Sequence, residues 1–479
     1  MSVFSVIQNN MAKKILSPLV ALLICLSFTG TAFAVNDLSS AGETTESKEE
    51  SKVDEKSEKE ENPVRKGDEK PMLGAGETGI LVDALSGRVL FEKSSGERMY
   101  PASTTKIMTA LLAIEAVERG ELSMDTQIEI TAEMLENLDI DGTSIALLEG
   151  EVLTLENLLR GLMIASGNDA ASAIATYVGG SVAAFVDMMN ARAAELGAEG
   201  THFVNPHGLH DDDHYTTAAD MAKIACAAMK HFEFRNIVDI AHVKIPPTNK
   251  TEKERYYINT NGLLSTMRYT DLFYKGSIGI KTGYTSNAGN CLVFAATRSG
   301  VELIGVVFGG KTSGDSHRDS AEMLDWGFER NISIVALNKN AMPCEIKVKQ
   351  GRGTDTLTLA VTEAVNVTVP KEAQAEELEI RPNIPEKIYA PVSQGDKIGT
   401  VSVLLDGVVL GTGELVATQD IERTIFWPVL ALGEWLWSKA IVRVICYAAI
   451  LFAAGFVILF VIGIYRNIKR AKRRRKRRR

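Results

Sequence analysis

Hydrophobic and polar positions change texture several times along the chain, and each change marks an element. Lys13 and Lys14 precede an apolar stretch from Ile15 to Phe28, and the small-residue triplet Ala32-Phe33-Ala34 follows. That order predicts a secretory signal peptide over residues 1–34, with the mature chain starting near Val35. Residues 35–75 form an acidic, Ser-rich linker, and between Asp37 and Lys70 almost nothing is apolar. Such a segment cannot bury enough surface to offset ordering entropy, which predicts a disordered spacer. Ordered sequence is expected from Gly76. Gly79-Ile-Leu-Val-Asp83 and Arg88-Val-Leu-Phe-Glu92, separated by Ala84-Leu-Ser-Gly87, predict a β-hairpin. Beyond Pro101 the period lengthens. Apolar residues at Ile107, Leu111, Ile114 and Val117 predict a helix entered at about Ser103.

Ala- and Leu-rich helical patterns continue to about Met229. Strand patterns return at Gly279 to Thr285, Cys291 to Arg298 and Glu302 to Gly309, before a last helix from about Arg318 to Glu329. Early strands, a helical middle and late strands predict an α/β (α+β) domain over residues 76–340. Its sheet is then built from both ends of the segment, with helices packed around it. Residues 341–424 are rich in Val, Thr and Gly in short alternating runs such as Thr356 to Val361 and Thr400 to Leu404. They predict a small all-β sandwich.

The end of the chain reads as membrane sequence. Val444 to Tyr465 carries no charge and is long enough to cross a bilayer core as a helix. The segment 425–443 before it holds Trp427, Trp435 and Trp437, residues suited to the lipid–water interface. Arg466 to Arg479 then contains eleven Lys or Arg in fourteen positions. Directly after a span, such a block predicts a cytoplasmic stop-transfer tail attracted to anionic lipid. The expected protein is therefore single-pass in the cell membrane, with its bulk on the extracytoplasmic face. Taking the eleven tail cations from the net charge of −9 leaves −20 on the remainder, which excludes nucleic acid as a natural partner. Cys226, Cys291 and Cys344 are too scattered for a disulfide framework or a metal site.

Candidate chemistry lies in three short motifs. Ser103-Thr-Thr-Lys106, in YPASTTKIMTALLAIE, sets a hydroxyl and an amine one helical turn apart on a shared face. A serine needs an adjacent base to become a nucleophile, and a lysine held neutral can be that base. Ser166-Gly167-Asn168 follows at a predicted junction between helices, and Lys281-Thr282-Gly283 falls on a predicted strand. The order S-x-x-K, S-x-N, K-T-G is the active-site signature of penicillin-binding proteins and β-lactamases. Singly, each has an ordinary reading: a helix cap for Ser103 or Asn168, an exposed strand-end charge for Lys281. Two decoys compete with them. Lys311-Thr312-Ser313 follows Gly309-Gly310 and reads as a loop, while Tyr257-Ile258-Asn259 lies too close to Lys281 to form a separate wall. His202, His207 and His214 beside Asp211, Asp212 and Asp213 invite a metal reading, but no metal or other cofactor is expected.

Over roughly Gly76 to Thr424 the chain resembles the D-alanyl-D-alanine carboxypeptidases, the low-molecular-weight penicillin-binding proteins. The stretches that carry the likeness are YPASTTKIMTALLAIE, LLRGLMIASGNDAA, THFVNPHGLHDDDHYTTAADMAKIA, GSIGIKTGYTSNAGNCLVFAA and YAPVSQGDKIGTVSVLLDG. The resemblance implies a penicillin-binding, β-lactamase-like transpeptidase domain with an antiparallel sheet and a helical subdomain, and reads the F-x-N-P-x-G-L segment around His207 as structural. It implies that Ser103 attacks the penultimate D-Ala carbonyl of peptidoglycan stems ending in D-Ala-D-Ala, with Lys106 as base and Ser166 as proton relay. Asn168, Lys281, Thr282 and Gly283 would bind substrate, and the backbone N–H groups of Ser103 and Tyr284 would form the oxyanion hole. Lys281 is expected to keep Lys106 neutral, and β-lactam antibiotics are expected as covalent inhibitors. The chain departs from the family at its anchor, a predicted span where an amphipathic surface helix is usual. Three alternatives use the same sequence: a β-lactamase, for which no deacylating Glu is evident after Ser166, a D,D-endopeptidase, and an idle cell-wall-binding protein.

Overall fold

The computed structural model describes residues 71 to 476 apart from Met72, Ala75, residues 137–141 and Arg268. The expected signal peptide, most of the linker and the last three residues of the tail lie outside the described residues. Packing begins at Leu73, three positions before the expected start, because its side chain is buried beneath the sheet with Phe294 and Val307.

In chain order, β1 (Thr78–Asp83) and β2 (Val89–Lys93) form the expected hairpin. A 3-10 turn, Ala102–Thr105, leads into α1 (Lys106–Glu118). The ribbon β3 (Gln127–Glu129) with β4 (Val152–Thr154) follows. Then come α2 (Leu155–Met163), α3 (Asn168–Gly179), α4 (Val182–Glu195), α5 (Ala218–Ala228) and α6 (Phe232–Val238). A second ribbon pairs β5 (His242–Ile245) with β6 (Arg255–Ile258). Next are β7 (Ser277–Thr285), β8 (Gly289–Arg298), β9 (Val301–Gly310) and α7 (Ser313–Arg330). Helix starts coincide with hydroxyl caps: Thr154, Ser181, Thr217 and Thr312 each accept a first-turn backbone N–H. Thr312 belongs to one of the decoy triplets, and capping α7 is its place in the fold.

The main sheet is antiparallel in the order β2-β1-β9-β8-β7, so both ends of the domain meet where Thr78 to Asp83 pair with Phe308 to Leu303. Its central strands read as continuous apolar runs because both faces are covered. Cys291, Val293 and Ala295 of β8 face one core with the helical subdomain, while Leu292, Phe294 and Ala296 face another with α7. α1 is buried around most of its circumference, from Lys106 to Ile114, which makes it the central helix of the domain.

β10 (Asn331–Leu337) leaves α7 directly and pairs with β13 (Val365–Pro370). β10 thus follows the helix without a loop, Asn331 being the C-cap of α7, and its Leu337 joins the core of the β module. β11 (Cys344–Lys349), β12 (Thr356–Val361), β14 (Glu379–Asn383), β15 (Lys387–Tyr389), β16 (Lys397–Leu405) and β17 (Val408–Ala417) make a six-stranded sheet. The sheet and the ribbon share a core that includes Leu337, Leu359, Val367, Val401 and Leu415. α8 (Trp427–Ser438) and α9 (Ala440–Lys476) complete the chain. Residues Ala440–Arg470 of α9 are long and apolar enough to cross a membrane, and none of the most apolar window is buried against protein.

Gly305 of β9 pairs with Phe294 of β8, and a Cβ at Gly305 would lie 2.2 Å from the ring. A fixed aromatic ring cannot step aside as a flexible side chain can. Gly305→Ala is therefore expected to lower stability by about 1–3 kcal/mol through overpacking, read as a lower urea midpoint at unchanged slope.

Candidate active site

The turn that carries Ser103 is tightly determined. Pro101 fixes the approach, and Ala102 holds a positive φ of 48°, costly for a residue with a Cβ. Thr104 Oγ1 donates to the Pro101 carbonyl at 2.7 Å and Thr105 Oγ1 to the Ala102 carbonyl at 2.9 Å. Both middle residues of the first motif thus serve the backbone, and Ser103 and Lys106 are left to face each other. Gly208 closes against this turn from the opposite loop. A Cβ there would lie 1.8 Å from the Ala102 oxygen, and the glycine's φ is 88°.

Lys106 is fully buried, and its Nζ has three oxygen neighbours: Ser103 Oγ at 2.9 Å, Asn168 Oδ1 at 2.7 Å and the His207 carbonyl at 2.7 Å. Burial pushes its amine well below the usual lysine range, the positive charge of Lys281 adds to that, and the carboxylate of Asp169 opposes it. Burial thus outranks the neighbouring cation to which the sequence reading gave the main part. A neutral amine has two N–H bonds and one lone pair. Two of its neighbours are carbonyl oxygens that can only accept, so both N–H bonds are used there. In that neutral form the lone pair would face the Ser103 hydroxyl, 2.9 Å away.

Ser166 sits at the mouth of the α2–α3 junction with φ 66°, again a strained value for a residue with a Cβ. Gly167 caps α3 and Asn168 opens it, which aims the Asn168 side chain at Lys106. The junction is braced by buried Asp169, whose carboxylate accepts from the backbone N–H groups of Ile145, Leu147 and Ala170 and from Ser144 Oγ. β7 supplies the other wall. Lys281 is 1% exposed, which overturns any reading as a surface charge, and its Nζ donates to the Thr282 carbonyl at 2.9 Å. Thr282 Oγ1 donates to Thr260 Oγ1 at 2.6 Å. At Gly283 a Cβ would stand 2.9 Å from the Ser103 nitrogen, so this glycine lets β7 pass beside the turn. The Tyr284 side chain is exposed on the rim.

Ser103, Ser166, Asn168, Thr282, Gly283 and Tyr284 line one cleft of about 390 Å³, with Lys106 and Lys281 buried beneath it. All eight sequence-predicted residues thus meet in one place. The decoy Tyr257-Ile258-Asn259 does not join them. Tyr257 donates its hydroxyl proton to the Ile145 carbonyl, and Asn259 organises the loop after β6 by bonding the Ile240 carbonyl and the Asn261 N–H. Thr260, Tyr269 and His317, which line the far end of the cleft, went unnoticed in the sequence because none lies in a motif. The histidines do not gather around a metal position. His207 Nδ1 accepts from Leu209 N–H, His214 Nδ1 from Val204 N–H, and His202 Nδ1 bonds the Asp213 carbonyl. Cys291 is core, with burial pushing its thiol up to about 12.

Residues 66–312 match the family model described as D-alanyl-D-alanine carboxypeptidase. The chain belongs to the D-alanyl-D-alanine carboxypeptidase family of serine peptidases. A second match over residues 336–423, the C-terminal domain of penicillin-binding protein 5, covers the β module. The chain is 33% identical over 360 residues to the D-alanyl-D-alanine carboxypeptidase DacF of Bacillus subtilis, covering 75% of this chain and 89% of the relative. It is 31% identical over 363 residues to DacA of Escherichia coli, covering 74% and 86% respectively. Among solved structures, penicillin-binding protein 5 of Haemophilus influenzae superposes with a TM-score of 0.58 at 30% identity, over 73% of this chain and 98% of that one. The fold is thus that of a penicillin-binding family carboxypeptidase.

Burial holds His207 and His214 neutral, each pushed down to about 3 from 6.5. Between those values the unfolded chain binds protons that the folded chain refuses. Their contribution to stability is therefore complete above pH 6.5 and lost as pH falls toward 3, at up to about 1.4 kcal/mol per pH unit for each imidazole. Urea unfolding at pH 7, 5.5 and 4.5 should show a midpoint that falls with acidification, and replacing His214 by a residue that cannot titrate should flatten that fall.

Proposed function

We propose that this protein trims peptidoglycan stem peptides by removing their terminal D-Ala through an acyl-enzyme on Ser103. The single observation that carries the reading is the Lys106 amine, buried with two carbonyl acceptors and the Ser103 hydroxyl around it. As Ser103 Oγ bonds the carbonyl carbon of the penultimate D-Ala, its proton passes to Lys106 Nζ. The oxyanion is held by the backbone N–H groups of Ser103 and Tyr284, where one donor is typically worth ~10²–10³ in rate. The C–N bond then breaks, with Ser166 relaying a proton to the departing amine, and free D-Ala leaves. Water attacks the ester and gives its proton back through Lys106, which releases the shortened stem and restores Ser103.

Asn168 holds Lys106 and the substrate amide, while Lys281 and the Thr282 hydroxyl take the terminal carboxylate. β-Lactams enter as mimics of the same substrate and stop at the ester. Among the described residues lining the cleft none carries a carboxylate, which favours a lasting penicilloyl ester over β-lactamase turnover. α9 anchors the protein as a single span, with the catalytic domain on the extracytoplasmic face and the Arg-rich end in the cytoplasm.

A peptide ending in D-Ala-D-Ala should yield free D-Ala with the wild-type protein and none above background with Ser103→Ala. Release by the variant at the wild-type rate would refute the reading, as would failure of the wild type, which an idle wall-binding protein would show. Fluorescent penicillin should leave a stable adduct whose mass maps to Ser103, and rapid turnover without accumulation would mark a β-lactamase instead. Crosslinked dimer substrates separate endopeptidase action. A second test concerns Lys281→Gln. Losing that cation removes one of the two influences that lower the Lys106 amine. The rising limb of the acylation pH profile should therefore move to higher pH.

A further inference from the structure

The loop opposite the nucleophile carries a histidine that none of the catalytic motifs contains. His214 is 2% exposed and packs edge-on against the Phe203 ring. Its Nδ1 accepts from the Val204 backbone N–H at 3.1 Å, and its Nε2 lies 2.8 Å from Thr105 Oγ1. Because a backbone N–H can only donate, Nδ1 carries the lone pair and the neutral ring carries its proton on Nε2. Nε2–H therefore donates to Thr105 Oγ1, which donates onward to the Ala102 carbonyl. A directed chain runs from the Val204 amide through the imidazole to the residue immediately before Ser103. Gly208, from the same loop, passes so close to that carbonyl that a Cβ there would lie 1.8 Å from its oxygen.

We propose that His214 is a positioning residue for the nucleophile: a neutral imidazole of fixed tautomer that acts through Thr105 to hold the strained turn bearing Ser103. The inference rests on Ser103 being the acylated residue. It differs from a proton-relay role, because no proton can leave Nε2 without breaking the chain. The charged and titratable groups facing the ring are Asp211, His202, His210 and Lys106, and burial outweighs them all in keeping it neutral through the working range. Its effect on rate should accordingly be one of geometry and independent of pH. A small displacement of a reacting atom is enough to cost ~10²-fold.

The test is the second-order acylation rate with a fluorescent penicillin, measured from pH 5 to 9 on full-length protein, with thermal unfolding recorded alongside. Thr105→Val keeps the shape but loses the hydroxyl, and it should lower acylation about 10- to 100-fold. Thr105→Ser restores the hydroxyl and should recover most of the rate. His214→Gln, which keeps a donor near the Nε2 position, should fall between the two. Combined with Thr105→Val it should cost little more than Thr105→Val alone, since both break one chain. Every variant should keep the wild-type shape of the pH profile. Folded Thr105→Val or His214→Gln acylating at the wild-type rate would overturn the proposal, and so would a His214→Gln profile with a displaced acidic limb. If wild-type protein acquires no adduct on Ser103, the underlying reading fails instead, and the two failures are distinct.

Discussion

A buried lysine amine whose hydrogen-bond partners are one hydroxyl and two carbonyl oxygens is the constraint on which the rest of this structure depends. Nζ of Lys106 bonds one hydroxyl and two carbonyl oxygens, and the charge that acts on it most strongly is another cation, Lys281. In water such a group would stay protonated. Here the dense packing of α1 between sheet and helical subdomain removes the solvation that would keep the charge. The cost falls on stability, since a lowered amine pKa means that the unfolded chain holds this proton more tightly than the folded one does. Catalytic competence is drawn from the same core that holds the domain together, a common form of the trade between stability and activity.

The surroundings of that amine show how the constraint spreads. Asn168 reaches it because Gly167 caps α3, and α3 begins where it does because Asp169 gathers three backbone N–H groups. The His207 carbonyl reaches it because Asn205 ties its loop, accepting from the N–H groups of His207 and Gly208. Ala102 and Ser166 both hold positive φ values beside the reacting groups, so strain is concentrated where geometry matters most. A substitution at Asp169, Asn205 or Ala102 would act on the chemistry from outside the cleft lining.

Much of this was legible in the sequence, for definite physical reasons. The hairpin at Gly79 to Glu92, the three late strands and the central helix each carry a period that burial imposes, so the sheet built from both ends could be read directly. The three motifs were legible because their chemistry needs particular side chains at short fixed spacings. What escaped was whatever depends on distant pairing. Thr260 follows a ribbon whose sequence gives no hint that it turns into the cleft, and it meets Thr282 only after both hairpins have folded. His214 looked like part of a His- and Asp-rich stretch, and only the fold separates it from its neighbours by burying it against Thr105. Strand β10 follows α7 with only Asn331 as the helix C-cap, so its pairing with β13 rests on contacts distant in sequence.

The buried amine also makes reactivity a property of the folded state alone. Before α1, the α2–α3 junction and the loop around His207 come together, Lys106 is an ordinary hydrated ammonium ion, and Ser103 is an unremarkable alcohol. A nascent or misfolded chain carries the full set of motif residues and remains chemically inert. On the proposed mechanism, covalent labelling of Ser103 would count native molecules one by one, and a β-lactam would serve as a conformational probe as much as an inhibitor.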